Sequence, residues 1–275
     1  MNTGLIAYCE NEKYGYRTND GDDAIGCIFD CAFDFREGMA LVQFNEKWGY
    51  IDATGKAVIP LIYDDLRHFS EDLAGAELGG KFGYIGRDGR MAIPFIFEKS
   101  YHCRHWMGKS FDTRPRNFRE GVACVEFNGK FGYIDKSGRV VLDFIYEKCW
   151  EGDGFYNDSE TFHAPGDFFD GLASVARDGK WGFMDKTGEE VIPLRYYGAK
   201  RFSEGLAAMK KRSETHFIGN RGLDIWGYID KAGNEVIPFV YDSASDFLDG
   251  KASVDVGGRT INIDAIGNEI IAHAK

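Results

Sequence analysis

Apolar and polar residues alternate along most of this chain in short runs punctuated by glycine. Within 118–147, for example, Ala123, Val125 and Phe127 alternate with Val122, Cys124 and Glu126, a period of two that predicts a strand. A second run, K-F-G-Y-I-D at 130–135, follows across Asn128-Gly129, a step that tolerates positive φ, so the two runs predict a hairpin. The turn D-K-S-G at 135–138 then pairs an aspartate able to bond turn amides with a glycine suited to the left-handed region. A third strand returns as V-V-L here and as V-I-P elsewhere. Pro60, Pro94, Pro193 and Pro238 are expected to end it, because proline cannot donate to a ladder. No stretch shows helical periodicity.

The same pattern recurs throughout the chain. Anchored on the aromatic before the glycine of K-F-G-Y-I-D, equivalents fall at Tyr14, Trp48, Phe82, Phe131, Trp181, Trp226 and, eroded, Thr260, at spacings of 34, 34, 49, 50, 45 and 34 residues. Self-similarity of this kind predicts a repeat architecture in which neighbouring units share cores. The expected fold is all-β: a tandem repeat of seven three-stranded antiparallel meanders of about 34 residues in an open, twisted array. A seven-bladed β-propeller-like ring is the alternative. Units fall at approximately 1–34, 35–68, 69–117, 118–167, 168–201, 202–246 and 247–275 of a single repeat domain, 1–275, with insertions at 99–117, 149–167 and 211–221. Phe35, Phe69, Phe118, Phe168, Phe202 and Phe247 form a column expected to fill the seams between units, since an isolated meander is marginal and must stack.

The recurring G-K-W-G-Y-I-D-x-x-G-x-x-V-I-P-x-x-Y-D resembles the bacterial WG-repeat (KWG-type) family over essentially the whole chain. That resemblance implies an interaction repeat of varied copy number without an assigned reaction. The chain departs from the pattern at Gly86 in place of the turn aspartate, at Asp143 in place of the proline, and at Thr260 with Asn262 in place of the aromatic pair.

Charge narrows the range of partners. With 33 basic and 44 acidic side chains the net charge is −11, which opposes attraction to phosphate backbones and anionic lipid and favours a basic partner. Nucleic acid is therefore not expected. No apolar run approaches the roughly 20 residues of a membrane span, and the first residues carry no basic-then-apolar leader, so the expectation is a cytoplasmic protein off the membrane. The six cysteines match no zinc-ribbon spacing. Cys124 stands where other units have Leu41 and Ser174, which predicts a small strand side chain.

Chemistry is best sought where the repeat is interrupted, because insertions in arrays map to loops that often form the binding face. The first insertion carries Tyr101, His102, Arg104, His105, Trp106, Arg114 and Arg116; the second carries Trp150, Asp153, Tyr156, Asp158 and His163; the third carries Lys211 and Arg212. Aromatic anchors with orienting charges have the composition of interface hot spots, and equally that of loops packed on their own scaffold. His102, Cys103, His105, Cys149 and His163 have the chemistry of zinc ligands but no established ligand spacing. Cys103 or Cys149 with His163 as base is the corresponding hydrolase reading. Glu37, Glu71, Glu120 and Glu204 recur in unit after unit and so belong to the scaffold. The sequence reads as a non-catalytic module, without catalytic residues or cofactor, that binds a protein partner through its insertions; a small-molecule or glycan binder using the aromatic rim is the alternative, and a cysteine-dependent hydrolase a distant one.

Overall fold

The alternating runs fold as antiparallel hairpins. In a computed structural model of the chain, which describes residues 4–98, 116–147, 149–151, 161–163, 165–218 and 221–271, all regular structure is β-strand. The chain divides into two compact units, Met1–Gly129 with Ile134–Arg139, and Lys130–Tyr133 with Val140–Lys275.

The second repeat shows the common plan. Ala40–Phe44 pairs with Lys47–Ile51, which pairs with Ala57–Tyr63. The connecting turn Asn45-Glu46 has φ of 49° and 64°, the two positive values that a two-residue hairpin of the right-handed twist requires. One strand was not expected: Cys31–Ala32, on the connector from the preceding repeat, pairs with Ala40–Phe44 and widens the sheet to four strands. Asp65–Leu66 and Gly198–Ala199 do the same in the third and sixth repeats, and Ser243–Ala244 pairs likewise in the seventh, whose sheet has three strands. These pieces are only two residues long and lack the alternation by which strands are recognised in sequence. In the seventh repeat the third strand shrinks to a single bridge between Ile263 and Glu269. Each sheet remains open, and within each unit the sheets follow one another as an open tandem array.

The prolines do not end the third strand. Ala57–Tyr63 runs through Pro60, with Tyr50 opposite Ile59 and Trp48 opposite Tyr63, so the strand carries a bulge between them. A bulge frees one residue from the ladder, which makes it a place where proline's missing N–H costs nothing. The same bulge accounts for the glycine after the anchor aromatic. A Cβ on Gly49 would lie 2.6 Å from the Ile59 carbonyl oxygen and 2.8 Å from that of Pro60, separations that no side chain tolerates.

Neighbouring repeats interlock at two places. The second-strand aromatic packs on the connector phenylalanine that follows: Tyr16 on Phe35, Tyr50 on Phe69, Tyr84 on Phe118 and Tyr228 on Phe247, with ring centroids 4.8 to 5.1 Å apart. Phe202 joins a buried cluster with Trp181, Phe183 and Ile192 of one repeat and Ala207, Met209 and Ile229 of the next, as expected of a seam residue. Each tyrosine hydroxyl also donates to a connector carbonyl: Tyr16 to Phe33 at 2.7 Å, Tyr50 to Arg67 at 2.9 Å and Tyr228 to Ser245 at 2.8 Å. On the other side, the turn glycine of one repeat faces the third-strand isoleucine of the repeat before: a Cβ on Gly89 would lie 3.5 Å from the Ile59 side chain and one on Gly233 3.2 Å from that of Ile192.

Candidate functional site

Most of the repeated acids hold the scaffold together. The connector turns place Glu37, Glu71, Glu120 and Glu204 at φ of 50° to 53°, a region that costs any residue with a Cβ. What offsets this is visible at Glu71, whose Oε2 accepts the Gly121 N–H at 3.0 Å and pairs with Lys136 at 3.3 Å. Likewise Glu204 accepts the Gly250 N–H at 3.0 Å. Arg87 joins Glu37 at 2.5 Å and Asp72 at 3.0 Å, and Lys231 meets Asp170 at 3.2 Å.

A second column of acids follows the third strand. The lysine that opens the second strand of each hairpin reaches the acid at the end of the same repeat: Lys13 pairs with Asp30, Lys47 with Asp64, Lys81 with Glu98 at 3.8 Å and Lys130 with Glu147 at 2.6 Å. The same carboxylates accept hydrogen bonds from the next hairpin turn, Asp64 from the Gly79 N–H at 2.8 Å and Glu98 from the Gly129 N–H at 3.1 Å. The lysine hydrogen bond holds Asp30, Asp64 and Glu147 below the usual carboxylate range.

The fifth repeat breaks this column, with Tyr197 standing in the acid's position. Lys180 keeps its place, and its Nζ sits 3.3 Å from the centre of the Tyr197 ring. The Lys180 hydrogen bond pulls the phenol below its ordinary range, and the Arg212 charge adds to this, while partial burial and Asp224 oppose it. Arg212 comes from the hairpin of the sixth repeat, where Leu206–Ile218 and Arg221–Asp230 are far longer than their equivalents. Pairing is regular from Leu206 opposite Asp230 to Arg212 opposite Asp224, and slips before Phe217 meets Gly222. Alternation along the strand puts Lys210 and Arg212 on one face and Lys211 on the other. On the first face the Arg212 guanidinium carbon lies 4.6 Å from the Tyr197 ring centre, and Arg212 and Lys210 approach the nearly buried Asp224 at 3.6 and 3.4 Å. On the second face Lys211 covers the Phe239 ring at 3.8 Å and pairs with Glu235 at 3.2 Å. The result is a cluster in which Lys180 and Arg212 lie against the Tyr197 ring, with Asp224 as the nearby carboxylate between Arg212 and Lys210.

Of the residues singled out in the sequence, Lys211 and Arg212 are thus neighbours on opposite faces of one hairpin. Arg116 lies in the first unit, where its N–H donates to the Cys124 carbonyl at 3.1 Å and its own carbonyl accepts the Tyr84 hydroxyl at 2.7 Å. The second insertion contributes a small hairpin, Cys149–Glu151 with Thr161–His163, that sets Cys149 opposite His163 and Trp150 opposite Phe162 along the backbone. Tyr101, His102, Cys103, Arg104, His105, Trp106, Arg114, Asp153, Tyr156 and Asp158 lie outside the described residues. Among the described residues no group of three or more histidine, cysteine, aspartate or glutamate side chains is arranged to hold a metal ion. Cys124 is a buried strand residue. Tyr197, Lys180 and Asp224 were not singled out, yet the change from Tyr-Asp or Tyr-Glu to Tyr196-Tyr197 is a visible signal in the sequence.

A family model described as the WG containing repeat matches residues 20–48, 48–82, 82–102, 131–157, 181–213 and 226–259. No curated protein matches the sequence. Among solved structures, a eukaryotic initiation factor superposes over 98% of this chain and 72% of its own with a TM-score of 0.55 at 9% identity. Kluyveromyces lactis Hsv2 aligns over 96% of this chain and 90% of its own with a TM-score of 0.42 at 8% identity. At such identities the first of these likenesses is one of fold alone.

Proposed function

Since the chain belongs to the WG-containing repeat family, we propose that it works as a non-catalytic interaction module, binding a protein partner through segments that interrupt the repeat. The observation that carries this reading is the long sixth-repeat hairpin, which sets Lys210, Lys211 and Arg212 beside Tyr197, Trp226 and Phe239. Cations and aromatic rings held by a paired strand lose little freedom on binding, so contact energy is retained as affinity. The insertions at 99–117 and 149–167 belong to the same proposal. A net charge of −11 favours a partner with a basic surface, drawn in by long-range attraction.

The test is affinity capture from lysate of the source cells with three baits: the intact chain, a chain with 100–117 and 150–167 each replaced by a short turn, and a chain with 212–224 replaced by Asn-Gly. Circular dichroism verifies that each still folds. A protein captured by the intact chain and lost from either shortened one supports the reading. The same proteins on all three baits, or none on any, overturns it.

A further inference from the structure

We propose that the Lys180–Tyr197–Arg212 cluster binds a carboxylate side chain of an acidic peptide segment, which takes the part played in other repeats by the chain's own acid. The inference rests on the interaction-module reading and names the chemistry recognised at one of its surfaces. The internal comparison is direct. In each of the first four repeats the hairpin lysine meets a carboxylate of its own repeat, through Asp30, Asp64, Glu98 or Glu147. Those pairs show the geometry that an acid adopts at this position. In the fifth repeat the lysine is kept as Lys180 and the acid is replaced by Tyr197, whose ring lies under the ammonium.

A second cation is added at the same point. The lengthened hairpin brings Arg212 over the Tyr197 ring, and nothing equivalent is available where the turn is two residues long. Arg212 is ion-paired with Asp224 through Nε at 3.6 Å, longer than a hydrogen bond, so a carboxylate that meets its fork of donors in bidentate fashion competes only with that looser contact. Asp224 is itself shared with Lys210, so that among the described residues cations outnumber carboxylates in the cluster. The surplus is conspicuous in a chain of net charge −11. Tyr197 supplies a flat, half-buried platform on which both cations are held in place before a ligand arrives. Long-range attraction to a basic partner and short-range pairing with one of its acidic side chains act at different distances and are compatible.

The test is fluorescence anisotropy of a labelled pentaglutamate peptide with the full chain in low-salt buffer, with free glutamate and inorganic phosphate as competitors. Saturable binding is expected, and Lys180→Gln and Arg212→Gln should each weaken it by about tenfold, the loss of one charge-assisted hydrogen-bonding partner. Tyr197→Glu restores the acid of the other repeats within the chain and should weaken binding by a similar factor while the protein stays folded. Lys47→Gln, at the equivalent position beside Asp64, should leave binding unchanged. The proposal is overturned if pentaglutamate does not bind the folded chain, if Lys180→Gln and Arg212→Gln leave it unchanged, if Tyr197→Glu has no effect, or if phosphate displaces the peptide as readily as free glutamate does. Capture of a partner that needs the hairpin, without pentaglutamate binding, would sink this inference and leave the interaction-module reading standing. Pentaglutamate binding without such a partner would do the reverse.

Discussion

The ring of Phe202 lies 4.7 Å from that of Phe183, centroid to centroid and tilted by 54°, and joins the side chains of two successive repeats in one buried cluster. Repeats that cannot bury an apolar face alone depend on such contacts. Phe202→Ala is therefore expected to destabilise the chain by about 3–5 kcal/mol. A thermal melting curve that matches wild type would refute the seam role.

Phe183 is also the exception among the second-strand aromatics. Its counterparts Tyr16, Tyr50 and Tyr228 each donate a hydroxyl to a carbonyl seventeen residues on, and the equivalent carbonyl for Phe183 is that of Lys200. Phe183→Tyr should supply the same bond and stabilise the fold by about 0.5–1.5 kcal/mol. Urea denaturation measures the gain, and a loss of stability would mean that the connector at Lys200 does not meet the ring as the others do.

Gly49 and Gly26 make a matched pair. The first faces the backbone of the third-strand bulge, and the second has open space where a Cβ would stand. Gly49→Ala should lower stability by about 1–3 kcal/mol or more, since it overpacks a rigid backbone contact. Gly26→Ala should be neutral or stabilising by up to about 1 kcal/mol through the unfolded chain. Chemical denaturation of both variants separates a steric requirement from a general dislike of substitution.

Stability should be flat across neutral pH and fall at both ends. Side-chain hydrogen bonds from Thr54, Ser137 and Thr187 hold Asp52, Asp135 and Asp185 below the usual carboxylate range. A depressed folded pKa gives stability that is present above the unfolded value, near 4, and lost as pH falls through the folded one. Burial pushes the Tyr16, Tyr50 and Tyr228 phenols up. Their contribution is complete below the unfolded value, near 10, and disappears as pH rises toward the folded one. Burial, aided by the Arg36 charge, holds the His68 imidazole below its ordinary value, a contribution that is present above the unfolded value, near 6.5, and lost as pH falls below it. A plot of Tm against pH should therefore show a plateau from about 6.5 to about 10, a shallow decline below it and a steeper one below about 4; a curve flat down to about 4 would refute the His68 contribution.

The parts of the fold legible in the sequence are those written in repeated columns. Trp48, Gly49, Tyr50 and Asp52 mark strand, bulge partner, seam and turn, and the alternation around Val122 to Phe127 marks the first strand. Pro60 misled because its missing N–H is compatible both with a strand end and with a bulge, and only the pairing of Tyr50 with Ile59 and of Trp48 with Tyr63 distinguishes them. Cys31–Ala32 and its equivalents were invisible because two residues carry no period. At the candidate site, Lys211 and Arg212 stood out as an insertion. Tyr197 did not, because its meaning lies in the acid that it replaces and in the arginine that a distant stretch of chain folds over it.

The connector turns also give the molecule a direction. Glu71 accepts the N–H of Gly121, fifty residues later, and Glu204 accepts that of Gly250, forty-six later. In both cases the acceptor is made before the donor. On a ribosome that releases about 5–20 residues each second, each such carboxylate is exposed for seconds before its partner emerges, and the newly made turn meets a template already in place. Growth of the array from its amino-terminal side thus adds the later turn to a finished edge, whereas a fragment that starts just beyond Glu204 would present the Gly250 turn without the carboxylate that receives it.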